Sequence, residues 1–239
     1  MADDIAASLA PTGVLRAAIN FGNPVLAQRD AANGEPRGIS VDLANELADR
    51  LRVPVSFVGF DAAGKVVAAI AERTWDIAFL AIDPERAKEV LFTPPYCIIE
   101  GGYMVPAESP LTRIEDVDRS GIRITVANKS AYDLFLTRTL KHAEIVRTPT
   151  GNEAIELFLR ERYEVAAGVK GSLLRFAERK PSLRVMDGRF MTIEQAMGTL
   201  HRRSAGWRYL CQFVEEMKTN GFVGAGLRRS GQLDARVAP

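Results

Sequence analysis

Apolar residues are distributed along this chain in two alternating patterns. The first is a short uninterrupted run, of which residues 77–82 are the clearest example, and it has the length of a strand buried on both faces. The second is helical spacing, seen where apolar residues recur between Val41 and Leu51. Because strand and helix patterns alternate, the sequence predicts an α/β fold in which mostly parallel sheets are flanked by helices.

The same reasoning assigns elements to the rest of the chain. Strands are predicted over residues 14–19, 53–57, 77–82, 98–105, 122–127, 145–146, 163–169 and 183–186, with a stiff extended piece at 92–96. Helices are predicted over residues 38–50, 65–72, 111–118, 132–140, 150–159, 172–178 and 205–227. Asn33-Gly34 is a turn signal that predicts a hairpin between Leu26 and Gly38. Residues 232–239 have little to bury and are predicted to be loose.

The elements form two successive α/β units, the second beginning near Ile122. The chain is expected to leave the first unit near residue 104 and to return to it near residue 200. The predicted division is therefore lobe 1 over residues 1–104 and 200–239, and an inserted lobe 2 over residues 105–199. The two crossings between the lobes are predicted to form a hinge.

Composition narrows the class of partner. The 239 residues are 47% hydrophobic and 26% charged with a net charge of +1, so neither nucleic acid nor an anionic membrane is an expected partner. No apolar run reaches the roughly 18 residues that a membrane-spanning helix needs. Residues 1–5 are acidic and lack the basic and apolar regions of a secretory signal, which leaves a removed leader and a cytoplasmic location both open.

Signatures of catalysis and metal binding are missing from the sequence. It contains no glycine-rich phosphate loop, no metalloprotease motif and no paired-cysteine motif, and no cofactor is predicted. Cys97 and Cys211 are far apart in apolar surroundings, so buried free thiols are the default and a disulfide is the alternative. With two histidines in the whole chain, a metal site is not expected.

One candidate for ligand chemistry follows the apolar run at 77–82. Asp83-Pro84 ends that strand, because proline cannot donate a hydrogen bond to a sheet, and Arg86 comes just after it. Open α/β sheets bind ligands beyond the carboxyl ends of their strands, and a guanidinium matches the planar fork of a carboxylate. Arg86 is therefore predicted to hold an anion; the alternative is an ordinary solvated arginine.

The segment around Arg86 also resembles a known family. Trp75-Asp76 at the start of the strand, Pro84-Glu85-Arg86 after it, F-T-P-P-Y at 92–96 and G-I-S-V-D-L-A at 38–44 resemble the bacterial extracellular solute-binding proteins, family 3, of polar amino acid ABC importers. The resemblance extends over nearly the whole chain, and Asn220-Gly221 resembles the Asp-Gly pair that breaks the terminal helices of the family, here within residues 205–227. It implies a two-lobe fold of the periplasmic-binding-protein type II class, hinge closure on a small solute, a periplasmic location, a monomer, and the membrane subunits of an ABC transporter as partners.

The resemblance also assigns roles to residues. Arg86 would hold the carboxylate of the ligand from lobe 1, and Ser130 with the amides at the start of its helix would hold it from lobe 2. A plain helix N-cap is the alternative role for Ser130. Lys129 replaces a glycine of the family and Ala131 a hydroxyl residue, and Lys129 either adds charge to the site or points outward.

Two further parts of the predicted site depart from the family pattern. Val169 stands where an aspartate commonly receives the ammonium group of the ligand, which argues against an ordinary α-amino acid. Lys170, if it faces the ligand, would favour a second anionic group. Asn20 and Asn23 occupy a loop in which the family often carries an aspartate and a stacking aromatic residue.

Apolar walls are expected from Phe60 and the end of the strand at 79–82. Glu100 is expected to be exposed, with a paired carboxylate as the alternative. The complete predicted site comprises Asn20, Asn23, Phe60, Leu80, Ala81, Ile82, Arg86, Glu100, Asn128, Lys129, Ser130, Ala131, Val169, Lys170 and Gln195.

The function implied by the resemblance is capture of a small carboxylate-bearing solute, an amino acid or related organic acid, for an ABC importer, without catalysis. The alternatives are an enzyme of the cyclohexadienyl dehydratase kind on the same fold, with Glu100 and Lys129 as its candidate groups, and a ligand-sensing module of a signalling protein.

Overall fold

The computed structural model describes residues 2–232 and 234–239, the first two of these by their backbone only. Its helices are α1 Ala2–Leu9, α2 Ile39–Leu51, α3 Ala63–Ala68, α4 Ala131–Thr139, α5 Gly151–Glu161, α6 Lys170–Ala177, α7 Ser204–Thr219 and α8 Phe222–Arg229. Its strands are β1 Leu15–Asn20, β2 Gln28–Arg29, β3 Pro36–Arg37, β4 Val55–Phe60, β5 Ile77–Ala81, β6 Val90–Pro106, β7 Arg123–Ala127, β8 Glu144–Thr148, β9 Val165–Val169, β10 Leu183–Val185, β11 Met191–Leu200 and β12 Arg236–Val237.

The chain forms two compact units. Unit 1 comprises the described residues up to Ile98 together with Glu194–Pro239, and unit 2 comprises Ile99–Ile193. Both boundaries fall within strands, the first in β6 and the second in β11. The division predicted from the sequence, at residues 104 and 200, lies farther along the same two strands.

The sheet of unit 1 is built on three parallel strands in the order β4-β1-β5, and β11 is antiparallel to β5. All five residues of β5 are buried, as expected for a central strand covered on both faces. Trp75, Val66, Leu80 and Val90 contribute to the apolar core beside β5. The carboxyl ends of the parallel strands therefore lie along one edge of the sheet.

The sheet of unit 2 repeats this plan. Strands β8, β7 and β9 are parallel in that order, β6 is antiparallel to β9, and β10 is antiparallel to β6. One apolar cluster includes Val126, Leu136 and Tyr103, and a second packs Phe158 and Leu173 beside Ala166 of β9. Helices α4, α5 and α6 each follow a strand of this sheet, so their amino ends lie at the carboxyl ends of strands.

Helix α2 begins where the sequence places it, and the reason is local. Gly38, immediately before the helix, has φ +116°, and a Cβ added there would lie 2.5 Å from the carbonyl oxygen of Leu26. Only glycine accommodates both the backbone conformation and the close approach. The hairpin formed by β2 and β3 precedes it, as predicted, with a loop that spans residues 30–35.

Several predicted elements differ from the structure. Residues 111–118 contain only a single 3₁₀ turn, Ile114–Asp116, in which the Asp116 carboxylate accepts the backbone N–H of Arg113 at 3.2 Å. Strand β4 runs to Phe60, three residues beyond the end predicted at residue 57. The terminal helices expected over 205–227 are α7 and α8, and they are separated at Gly221, whose φ is +83°, as the resemblance of Asn220-Gly221 implied.

The prediction that residues 232–239 are loose is wrong for the described part of that segment. Strand β12 pairs antiparallel with β6, and Ala238 is buried and donates its N–H to the carbonyl of Tyr96 at 3.2 Å. The carbonyl of Pro239 accepts from Nζ of Lys218 at 2.7 Å. Cys97 and Ile98 of β6 are the pairing partners of the tail, and its local sequence does not reveal them.

Candidate functional site

The turn after β5 places Arg86. The Asp83 side chain, 3% exposed, accepts the N–H of Glu85 at 2.9 Å, and its carbonyl accepts the N–H of Ala87 at 2.9 Å. This is the local bonding by which an aspartate before a proline stabilises a turn. It starts the 3₁₀ turn Arg86–Lys88 directly beyond the carboxyl end of the strand.

Arg86 is buried, so the alternative of a solvated surface arginine is wrong. Its side chain is 3% exposed, and Nη1 donates to the carbonyl oxygen of Ala81 at 3.0 Å. Burial lowers the pKa of Arg86 to about 10, an effect that the charge of Asp83 opposes only in part. Burial therefore disfavours the charged form of the guanidinium, and an added anion would favour it.

Strand register brings several predicted residues of unit 1 to the same edge. Asn20 and Phe60 are partners at the carboxyl ends of β1 and β4, and Gln195, 4% exposed, is the partner of Ala81 at the end of β5. Leu80 is buried within the strand. These residues, with Arg86 just beyond them, form one continuous strip along the edge of the sheet.

The remaining predicted residues of unit 1 differ in exposure. Ile82 is 36% exposed, so it offers apolar surface beyond the strand. Asn20 uses its Oδ1 to accept the N–H of Gly22 at 3.0 Å, which shapes the loop after β1. Asn23 is buried, and its Oδ1 has no hydrogen-bond partner among the described residues.

In unit 2, the turn between β7 and α4 is organised by Asp133. Oγ of Ser130 accepts the N–H of Asp133 at 3.0 Å, so Ser130 is an N-cap, the role given as its alternative. The Asp133 carboxylate accepts the N–H of Lys129 at 2.7 Å and Nε of Arg147 at 2.9 Å. The Ser-x-x-Asp spacing was the available sequence signal for this arrangement.

The backbone of Lys129 explains why glycine suits this position. Its φ is +55°, in the left-handed region that glycine adopts without strain. Asn128 and Lys129 are exposed, whereas Ser130 is buried. The backbone N–H groups of Ala131 and Tyr132 are in the first turn of α4, where an α-helix provides no carbonyl acceptor for them. They also lie at the positive end of the helix dipole. This turn therefore combines the features that favour an anion.

Val169, Lys170 and Glu100 lie together in unit 2. Val169 ends β9 opposite Gly101 of β6, so Glu100 is adjacent to that pair. Glu100 accepts from Nη1 of Arg189 at 3.0 Å and lies 3.9 Å from Nζ of Lys170. Lys170 also donates to the carbonyl of Gly188 at 2.7 Å. Glu100 is thus paired with cations, and Arg189 is a member of the cluster that the sequence did not reveal.

Among the described residues, no group of three or more histidine, cysteine, aspartate or glutamate side chains is placed to hold a metal ion. In the same part of the chain, no helix is both long enough and apolar enough to span a bilayer. Cys97 and Cys211 are free thiols, so the alternative of a disulfide between them is wrong.

Comparison with known families identifies the chain. The sequence model of the bacterial extracellular solute-binding proteins, family 3, matches residues 15–223. The chain belongs to this family. The match covers all of unit 2 and the three parallel strands of unit 1, and it includes Arg86 and Ser130. No curated protein sequence matches this family member.

Solved structures agree on the fold. A mutant of ArgBP from T. maritima has a TM-score of 0.81 at 19% identity, over 95% of this chain and 99% of that chain. A solute receptor for L-cysteine of Neisseria gonorrhoeae has a TM-score of 0.82 at 23% identity, over 94% and 92%. An ancestral amino acid-binding protein described as a precursor of cyclohexadienyl dehydratase has a TM-score of 0.78 at 20% identity, over 94% and 98%. The predicted type II periplasmic-binding-protein fold is confirmed.

Proposed function

We propose that this family member is the substrate-binding protein of an ABC importer and captures a small carboxylate-bearing solute, an amino acid or a related organic acid. The observation that carries the proposal is the buried guanidinium of Arg86 at the carboxyl end of β5. Solved relatives support the class of ligand, since one is described as a receptor for L-cysteine and another as complexed with lysine.

The chemistry of Arg86 favours a carboxylate over a neutral ligand. A buried guanidinium whose pKa is lowered by desolvation regains stability when an anion comes within bonding distance. A carboxylate accepts two parallel N–H bonds from the planar fork, which fixes the orientation of the ligand as well as its charge. The strip formed by Asn20, Phe60 and Gln195 at the same edge supplies mixed polar and apolar contacts.

We further propose that the start of α4, within unit 2, provides contacts suited to a carboxylate. Ser130 accepts the amide of Asp133 through its oxygen, so its own proton can be donated to a ligand. The cap and the binding role are therefore compatible in one side chain. The amides of Ala131 and Tyr132 add donors at the positive end of the helix.

We propose that the carboxylate of the ligand contributes more to binding than an ammonium group does. Val169 offers no charge, and the nearby carboxylate of Glu100 is already paired with Arg189 and Lys170. An ammonium would have to compete with two cations for Glu100. This cluster carries two positive groups and one negative group, which favours a ligand with a second acidic group.

A thermal-shift screen of amino acids, dicarboxylates and aromatic acids tests the proposal. Each hit is compared with its amide, which removes the negative charge, and with its deaminated acid, which removes the ammonium. A ligand at 100 times its Kd stabilises the folded state by about 2.7 kcal/mol, or roughly 5–11 °C for a chain of this size. The acid and the deaminated acid are expected to raise Tm and the amide is not. A screen in which amides work as well as acids would contradict the proposal.

A dehydratase is the second candidate, because a precursor of such an enzyme is among the structures with this fold. The carboxylate of Glu100 is engaged with Arg189, and Lys129 is exposed, so neither is arranged as a free acid or base. Incubation with prephenate or arogenate, followed by ultraviolet detection of aromatic product, separates the two functions. Product formation above that of a heat-denatured sample would favour the enzyme.

Location and assembly follow from the proposed function. We propose a periplasmic protein that acts as a monomer and docks on the membrane subunits of the importer. Size-exclusion chromatography with light scattering tests the monomer, which should have a mass near 26.2 kDa. A ligand-sensing module remains the alternative use of the same fold, and the neighbouring genes or fused domains would distinguish it.

A further inference from the structure

Unit 1 contains a charged pocket at the opposite end of the parallel strands from Arg86. Its volume is about 420 Å³, and it is lined by Ser8 at the end of α1 and by Arg16, Arg73, Arg202 and Arg203. Arg16 is near the amino end of β1, whereas Arg86 lies beyond the carboxyl end of β5. Because these strands are parallel, the pocket and Arg86 are at opposite edges of the sheet.

Two of the four arginines are held in place by a buried carboxylate. Asp76, which has no exposed surface, accepts Nε and Nη2 of Arg16 at 2.9 and 2.7 Å and Nη2 of Arg203 at 2.7 Å. Arg16 also donates to the carbonyl of Arg73 at 2.8 Å, and Arg203 donates to that of Leu9 at 3.2 Å. These guanidinium groups are therefore fixed before any ligand arrives.

The other two arginines are exposed and have no such partners. Among the described residues, the side chains of Arg73 and Arg202 make no hydrogen bond or ion pair, although both line the pocket. Desolvation lowers the pKa of Arg202, and the charges of Arg203, Arg73 and Arg16 lower it further, with Asp76 opposing. The repulsion among like charges identifies a place where an anion would be stabilising.

We propose that this four-arginine pocket binds a phosphoryl group, as inorganic pyrophosphate or as a phosphate ester. Four guanidinium groups and the single carboxylate of Asp76 leave a net charge of +3, which a singly charged carboxylate ligand would only partly neutralise. Planar guanidinium forks match phosphate oxygens, and Ser8, which accepts the N–H of Gly206 at 3.2 Å, can donate its own proton. The volume lies in the range of small-ligand sites, roughly 300–1,000 Å³, and leaves room for more than a bare phosphate.

Titration calorimetry at low salt tests the pocket, with pyrophosphate, inorganic phosphate, AMP and a short polyglutamate peptide as separate probes. The variant is the double substitution Arg73→Gln and Arg202→Gln, which removes two exposed charges without touching the ion pairs of Asp76. It is expected to weaken pyrophosphate binding by about tenfold or more, since charge-assisted hydrogen bonds are worth more than the roughly 1.4 kcal/mol that a factor of ten requires. The affinity for pyrophosphate, compared with the affinity for AMP, then distinguishes a free phosphate ligand from a phosphate ester.

The matched control replaces two exposed arginines of unit 2, Arg162→Gln together with Arg179→Gln, so it removes the same two positive charges. Its Kd for pyrophosphate should stay within about twofold of that of the unsubstituted chain, because salt screens charges that are far from the pocket. The double variant of Arg73 and Arg202 should keep its thermal stability without ligand, because it loses only exposed side chains. Equal affinity in that variant and the control, or tighter binding of the peptide than of any phosphate, would overturn the proposal.

Discussion

Replacing Asp76 by asparagine removes the one negative charge between two arginines while keeping the shape of the side chain. In addition to the three guanidinium contacts, the carboxylate accepts the backbone N–H of Arg16 at 3.0 Å. Asp76 has no exposed surface and Arg203 is 6% exposed, so water cannot take the place of the lost charge. Asparagine also brings an NH₂ group toward groups that only donate.

The magnitude follows from this burial. Removing one partner of a buried pair leaves an uncompensated charge and typically costs about 3–5 kcal/mol. Since folded domains are stable by roughly 5–15 kcal/mol, the loss is a large share of the total. For a chain of this size it corresponds to a fall in Tm of roughly 6–20 °C.

Differential scanning calorimetry measures the effect, with Asp30→Asn as the control. Asp30 pairs with Arg37 at 4.0 Å on the surface, where both side chains are largely exposed, so its replacement should cost less than about 1 kcal/mol. If Asp76→Asn changes Tm as little as Asp30→Asn does, the ion pairs of Asp76 do not stabilise the fold and the reasoning is refuted.

The pH dependence gives a second test of the same residue. Burial alone would raise the pKa of Asp76, but the hydrogen bonds from Arg16 and Arg203 hold it below its ordinary value of 3.8. The folded pKa is thus lower than the unfolded one, so the stabilisation is complete above pH 3.8 and is lost as the pH falls through the folded pKa. The difference in Tm between the unsubstituted chain and Asp76→Asn should hold at neutral pH and shrink in acid.

Three further predictions concern local features. Burial raises the pKa of the Cys97 thiol to about 12, so Ellman's reagent should modify Cys97 only after unfolding in urea. The half-buried Cys211 should react slowly in the folded state. Prompt reaction of both thiols in the folded protein would contradict this expectation. Arg162 ends α5 with φ +51°, so Arg162→Gly should raise stability to urea by about 0.5–1 kcal/mol, whereas Arg160→Gly within the helix should lower it. Ser130→Asp should keep the N-cap and leave Tm unchanged, because aspartate is also a good N-cap residue. Charge repulsion should weaken carboxylate binding by roughly tenfold or more, as measured by titration calorimetry. An unchanged affinity would leave Ser130 only its capping role.

Local sequence was sufficient to predict the structure wherever a single physical constraint determines the conformation. The run at 77–82 is almost the observed β5, and Gly38 marks the start of α2, because burial on two faces and a left-handed glycine each leave a direct signature. The turn after Asp83 was likewise readable from its proline. In these places the prediction needed no knowledge of distant residues.

Contacts between distant residues explain what the sequence did not show. Strand β6 runs unbroken from Val90 to Pro106 although Pro94, Pro95 and two glycines interrupt its pattern, since pairing with other strands holds it extended. The partnership of Asp76 with Arg203 joins residues 127 positions apart, and nothing near either one announces it. The four-arginine pocket depends on that partnership and was invisible for the same reason.

Calorimetric titration of Arg86→Gln with the best carboxylate ligand from the screen is the most direct test of carboxylate capture. The control is Arg184→Gln, because Arg184 also donates to backbone carbonyls, those of Ala107, Ser109 and Leu111. With folding verified by circular dichroism, Arg86→Gln is expected to abolish binding, while Arg184→Gln keeps an affinity close to that of the unsubstituted chain. Undiminished affinity in Arg86→Gln would contradict the role assigned to Arg86.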